Sequence, residues 1–162
     1  MTTMAKTLTF DRKREGIDHI NTYSRSTLEV GRLLSNFHVC PKGVLPFGFL
    51  HIEALWLFAK YGLDELCDPT ITPQEARKIT RGLTPSGEVD KIRFESVISS
   101  AITAKLDYYR DWLSADECFA RKQLDIVHYW WHNGKSVSSG SGADLIVNTI
   151  TRWRNLNLIW KL

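Results

Sequence analysis

This chain is poor in the features that usually assign a protein at sight. No run reaches the roughly 20 consecutive apolar residues that a membrane-spanning helix needs, so no membrane is expected among its partners. The three cysteines, Cys40, Cys67 and Cys118, are odd in number and widely spaced, with no CxxC pair and no neighbouring His pattern. That excludes the common zinc frameworks and leaves reduced thiols, as in a cytoplasmic protein. No metal and no cofactor is expected. Gly140-Ser141-Gly142 lacks both the Walker lysine and the full dinucleotide fingerprint, so it is neither a P-loop nor a Rossmann turn. Charge of one sign is also missing: the net +3 comes from interspersed acids and bases. Such a balance leans toward anionic ligands without being the footprint of a DNA-coating protein. No internal repeat is present, and the polar stretch Met1 to Arg14 lacks the apolar core of a signal peptide.

What is present is core. With 162 residues, 43% hydrophobic content and six tryptophans, the sequence predicts one globular domain over residues 17–162, preceded by a polar segment, 1–16. Ile17 to Tyr23 reads as a strand, and Ser24 to Gly31 as a loop or short helical turn. Pro41, Gly43, Pro46 and Gly48 make Phe37 to Phe49 a loop or hairpin. A helix is predicted from about Leu50 to Tyr61, with Gly62 as its stop. Another starts at the Thr72 cap with Pro73 at its first position and Glu75 in a capping box, ending near Arg81-Gly82. Thr84 to Gly87 is a turn. From Val89 to Tyr109, Ile92, Phe94, Val97, Ile98, Ile102 and Leu106 recur at helical spacing. A shorter helix is expected over Ala115 to Gln123 with Ser114 as cap, a buried strand over Leu124 to Trp130, a loop over Trp131 to Gly142 and a final helix over Ala143 to Asn155. The composite is a mostly helical α+β fold with a few short strands.

Glu53 and Lys60 are the distinctive pair. They lie seven residues apart in the apolar run Ile52 to Tyr61, so on a helix they project the same way about 10 Å apart along the axis. Two readings stand. Both charges satisfy the helix dipole at opposite ends, or they flank a ligand on a helix otherwise almost fully buried. A second concentration of unusual residues, Tyr129-Trp130-Trp131-His132, precedes the Gly/Ser loop that opens the last helix. Flat aromatics beside a helix start suit a planar ring carrying an anionic group. His128 and His132 have a metal-ligand interval but no third ligand, and no nucleophile elbow supports a Ser/His/Asp triad.

Taken together, these segments resemble the NADAR superfamily, the YbiA-like N-glycosidases. The resemblance is carried by Ile20-Asn21-Thr22-Tyr23-Ser24, then Leu34-Ser35-Asn36-Phe37, then Glu53 through Lys60-Tyr61, in the family's order and at similar spacing. Pro73 to Lys78, Phe94 to Val97 and Tyr129 through Arg152 or Arg154 extend it more loosely, to about residues 18–155. The chain departs from the family at Ala54, where His is usual, at Leu57, where Gln is usual, and at Trp131, where Gly is usual. The acid expected before Tyr-Trp-Gly is missing.

The resemblance implies a single NADAR-like domain that cleaves a base–ribose N-glycosidic bond in an ADP-ribosylated base, guanine in nucleic acid included, or in a related nucleotide. Glu53 and Lys60 would be catalytic. Ser35, Asn36 and Phe37 would position the ligand, Trp130 or Trp131 would stack on the base, and Arg152 or Arg154 would hold phosphate. The departures keep an alternative open: a sensor or inhibitor that binds the nucleotide or an ADP-ribose derivative without cleaving it. Oligomeric state is not legible.

Overall fold

A computed structural model describes residues 10–85, 90–121, 123–137 and 141–158. The chain forms the expected mostly helical α+β fold, with six α-helices and four three-residue strands among the described residues. It divides into two compact units: residues 1–35 with 110–162, and residues 36–109.

The first unit is built from both ends of the chain. Strand β1 (His19–Asn21) pairs in parallel with β2 (Asp125–Val127), in the register His19 to Asp125. The Asn21 side chain extends this pairing by donating to the Tyr129 carbonyl at 2.9 Å and accepting from the Tyr129 N–H at 3.0 Å. Glu15, in the segment expected to be a polar leader to the domain, is 9% exposed and organises the turn after β1. Its carboxylate accepts from the Ser26 hydroxyl, from the Asn21 N–H at 3.3 Å, and from the Thr27 N–H and hydroxyl at 3.2 and 2.9 Å. Helix α1 (Glu29–Leu34) follows, so the Ser24 to Gly31 stretch gives way to helix at residue 29.

Four sequence expectations change in this unit. The loop foreseen over Trp131 to Gly142 is, up to Val137, an antiparallel hairpin of β3 (Trp130–His132) and β4 (Lys135–Val137), and its last two residues belong to the final helix. Asn133 and Gly134, at φ 50° and 74°, form the two-residue turn whose left-handed backbone matches strand twist. The strand foreseen over Leu124 to Trp130 is accordingly split between β2 and β3, and the one over Ile17 to Tyr23 shortens to β1. Among the described residues, no helix runs on from Ala115 toward Gln123. Instead α5 (Arg110–Ala115) ends there, because Ser114 hydrogen-bonds back to the Arg110 carbonyl at 2.8 Å rather than capping forward. Asp116 then accepts from the Phe119 N–H at 2.8 Å and holds a turn. Lys122 and residues 138–140 of these segments lie outside the described residues. Helix α6 (Ser141–Asn157) closes the unit with Ile146, Ile150 and Trp153 buried and Leu145 half-buried, as the spacing predicts.

The second unit is helical. Helix α2 (Ile52–Tyr61) packs on α3 (Pro73–Thr80), on α4 (Lys91–Tyr108) and on a 3-10 turn at Asp64–Cys67. Each boundary follows from a local cap. His51 accepts the Ala54 N–H at 3.1 Å through Nδ1 and donates to the Ile71 carbonyl at 2.8 Å through Nε2. Gly62, at φ 65°, ends α2 in the left-handed conformation that glycine adopts without strain. Thr72 caps α3 by accepting the Glu75 N–H at 3.1 Å, with Pro73 at the first turn, and Asp90 caps α4. The Val89 helix start and the end of the Thr84 to Gly87 turn lie outside the described residues. The buried set includes Ile52, Ala54, Leu55, Leu66, Ala76, Ile98, Ala101, Ile102 and Leu106. Ile92, placed by its spacing on the apolar face of α4, is 82% exposed. Among the described residues no helix is long and apolar enough to cross a membrane.

Candidate functional site

The residues around the N-terminus of α2 make the best-defined polar cluster of the second unit. Glu53 stands in the first turn of α2 and Lys60 in its last, so both occupy the positions that the helix dipole favours. The dipole alone, however, would hold a first-turn carboxylate below its usual range. Glu53 behaves in the opposite way: its side chain is 13% exposed, and burial pushes its carboxyl up, against the pull of the Arg77 and Lys60 cations. Its nearest cation, Arg77 on α3, places Nε 3.6 Å from Oε1, a looser contact than a good charge-assisted hydrogen bond.

Asn36 and Phe37 join this cluster. The Asn36 carbonyl accepts the Glu53 N–H at 3.1 Å, which fixes the turn before α2 against the start of the helix. Asn36 Oδ1 is buried and has no hydrogen-bond partner among the described residues. Leaving such an acceptor unsatisfied costs about 1–3 kcal/mol, so it calls for a physical reason. The Arg77 guanidinium lies 5.6 Å from the centre of the Phe37 ring as well as beside Glu53. Arg77, from the loosely matching Pro73 to Lys78 segment and not among the expected site residues, thus bridges two of those that were.

The outer half of α2 differs from expectation. Trp56 to Tyr61 are half-buried rather than enclosed, because only Ile52, Ala54 and Leu55 turn fully into the core. Lys60 Nζ sits 5.6 Å from the centre of the Trp56 ring, and Trp56 in turn meets Phe94 edge-on at 5.0 Å.

A second titratable group in this unit was not foreseen. Lys105, on α4, is 1% exposed, and burial lowers its amine to about 8. It bears on the buried Cys40 thiol and on His38, whose ring shares a 2.8 Å hydrogen bond with the Tyr109 hydroxyl. Burial, helped by the Lys105 cation, brings His38 down to about 4. In the sequence Lys105 looks like any helix lysine, and only tertiary packing gives it this character.

The remaining predicted residues belong to the first unit. Ser35 is 4% exposed and ends α1. Trp130 and Trp131 lie half-buried on β3, and the Trp131 indole N–H is buried with no partner among the described residues. Arg152 is exposed on α6. Arg154 is 3% exposed; it donates to the Leu124 carbonyl at 2.7 Å and lies 5.8 Å from the centre of the Phe119 ring, so its guanidinium is engaged in packing α6. His128, half of the His pair at a metal-ligand interval, bonds the Thr22 carbonyl at 2.7 Å through Nδ1, while His132 is exposed.

The cluster of Asn36, Phe37, Glu53 and Arg77 therefore brings together a hydrogen-bond acceptor, an aromatic ring, a carboxyl whose proton affinity burial raises, and a cation. Compared with known proteins, the chain matches no family model, no curated protein and no solved structure.

Proposed function

We propose that this chain is an N-glycosidase that cleaves the base–ribose bond of an ADP-ribosylated base, guanine in nucleic acid being one such substrate, or of a related nucleotide. The observation that carries the reading is Glu53, a nearly buried carboxyl whose proton affinity burial raises, its N–H bonded to the carbonyl of Asn36, whose buried Oδ1 has no partner among the described residues. Breaking an N-glycosidic bond builds positive charge on the sugar and leaves a base that needs a proton. A carboxyl with elevated proton affinity is suited to supply it; once ionised it stabilises the oxocarbenium character until water adds to the anomeric carbon, forming the new C–O bond and returning a proton to the carboxylate. Asn36 would accept a hydrogen bond from a sugar hydroxyl or a base N–H, and Phe37 would offer a face to the ring. Lys60, whose charge bears on Glu53 from the same helix, would anchor the substrate rather than attack the anomeric carbon.

The test is chromatographic detection of the free base. ADP-ribosylated DNA, an ADP-ribosylated nucleotide and a riboflavin-pathway ribosyl intermediate are each incubated with wild-type protein, Glu53→Gln and Lys60→Ala. Release by the wild type, abolished in Glu53→Gln while that variant stays folded, is expected. No release from any substrate by folded wild type overturns the enzymatic reading. A nucleotide that raises the melting temperature yet stays intact would identify the binding-only alternative.

A further inference from the structure

The cation beside Glu53 is placed for a second task. Arg77 leaves 64% of its side chain exposed, although its guanidinium lies over Phe37 and beside a nearly buried carboxylate. Three features make this an unfinished interaction. The 3.6 Å separation from Glu53 is longer than the bond a guanidinium and a carboxylate make when they close on each other. The Phe37 ring, its centre 5.6 Å from the guanidinium carbon, borders the fork without consuming its donors. The solvent-facing remainder of the five-donor group is open to a partner with several acceptor oxygens.

We propose that Arg77 is the anion clamp of this site: a phosphoryl group of the ligand closes on its guanidinium, draws it away from Glu53, and leaves that carboxyl to take up a proton from solvent. The inference deepens the glycosidase reading and rests on it for the identity of the nucleotide, but the clamp itself stands on the placement of Arg77, Phe37 and Glu53. Its logic is reciprocal. An anion that occupies Arg77 removes the main cation restraining Glu53, and a protonated Glu53 removes the negative charge that would repel the anion. Binding and proton uptake therefore favour each other.

The other charges near α2 leave this coupling to Arg77 and Lys60. On α4, Lys91 pairs with Glu95 at 4.0 Å, while Lys105 acts on His38 and Cys40. Asp64 and Glu65 of the 3-10 turn, and Glu75 and Lys78 of α3, are exposed.

The experiment is isothermal titration of the full chain with inorganic pyrophosphate, ADP-ribose and adenosine, at mildly acidic pH and in two buffers of different ionisation enthalpy. Wild type is expected to bind both pyrophosphate and ADP-ribose, and to bind ADP-ribose, whose diphosphate is fully ionised in this range, with net proton uptake. Arg77→Gln should weaken both by about tenfold or more, the loss expected when one charged hydrogen-bonding partner is removed, and should abolish the uptake. Adenosine, which has no phosphate, should bind the wild type and Arg77→Gln alike or bind neither. Arg77→Lys keeps the charge but not the fork, and should retain part of the affinity; it also serves as the test protein should Arg77→Gln not fold. Arg77-dependent binding of pyrophosphate with none of ADP-ribose supports the clamp and removes the nucleotide reading. Unchanged affinity for ADP-ribose in Arg77→Gln, ADP-ribose binding without proton uptake, or no binding of either anion overturns the clamp.

Discussion

Replacing Lys105 by Met should reveal how much an enclosed amine costs this fold. Burial lowers the Lys105 amine from 10.5 to about 8, the Cys40 thiol opposing this in smaller measure. A basic group whose folded-state value lies below its unfolded one penalises the folded state when charged. Its penalty is absent above 10.5, grows as pH falls toward 8, and is nearly constant below that. Spread over this interval at about 1.4 kcal/mol per unit, the penalty approaches about 3.5 kcal/mol near neutrality. Lys105→Met abolishes it, while any difference in packing or lost hydrogen bonds shifts the variant by the same amount at every pH. The stability of the variant relative to wild type should therefore fall by about 2.5 kcal/mol between about pH 7 and pH 10. Urea denaturation followed by tryptophan fluorescence, with the slopes checked for equality, measures it. Parallel stability curves for the two proteins across this range would refute the reasoning.

Other substitutions probe other parts of the argument. A Cβ on Gly31 would stand 2.7 Å from Ser26 Cβ, and nearer still to Ser26 Oγ and the Asn21 carbonyl oxygen. Gly31→Ala should therefore lose about 2–4 kcal/mol in urea denaturation, since overpacking and a disturbed Glu15–Ser26 hydrogen bond outweigh the gain in helix propensity; unchanged stability would contradict it. His51 has its value lowered by burial, so its contribution is whole above 6.5 and is lost as pH falls through the folded value. His51→Ala should cost about 2 kcal/mol at neutral pH and flatten that acid limb, as measured by melting temperature against pH. Glu53 is the reverse case: a raised carboxyl favours the fold most below 4.5 and gives that up as pH rises through the folded value. Glu53→Gln should be at least as stable as wild type near neutrality while failing in base release; a clear loss of stability there would assign Glu53 to the scaffold instead.

Local chemistry explains what could be read from the chain beforehand. The Gly62 stop, the Thr72 cap with Pro73, and the face of α6 are written in neighbouring residues, and each is found where its sequence signal lies. The hairpin at Asn133-Gly134 carried an equally local signal, the strongest two-residue turn pair, but the glycines and serines after it drew the segment into a loop. The absent helix after Ser114 shows the competition between a side chain that caps forward and one that bonds back. At the site, Asn36, Phe37 and Glu53 are legible because they fall within motifs. Arg77 also falls in a matching segment, but its place beside Glu53 comes from α3 packing on α2, and the character of Lys105 comes from complete burial on α4.

The parallel pairing of His19–Asn21 with Asp125–Val127 has a consequence for the newborn chain. The first strand leaves the ribosome about a hundred residues ahead of its partner, a wait of about 5–20 s at ordinary rates of synthesis. All of residues 36–109 emerges within that interval, so the inserted unit has the time to fold while the unit that encloses it in sequence is still half made. Until then the Asn21 amide has no Tyr129 backbone to hold, and the early segment depends on Glu15 and its hydroxyl partners to keep its shape.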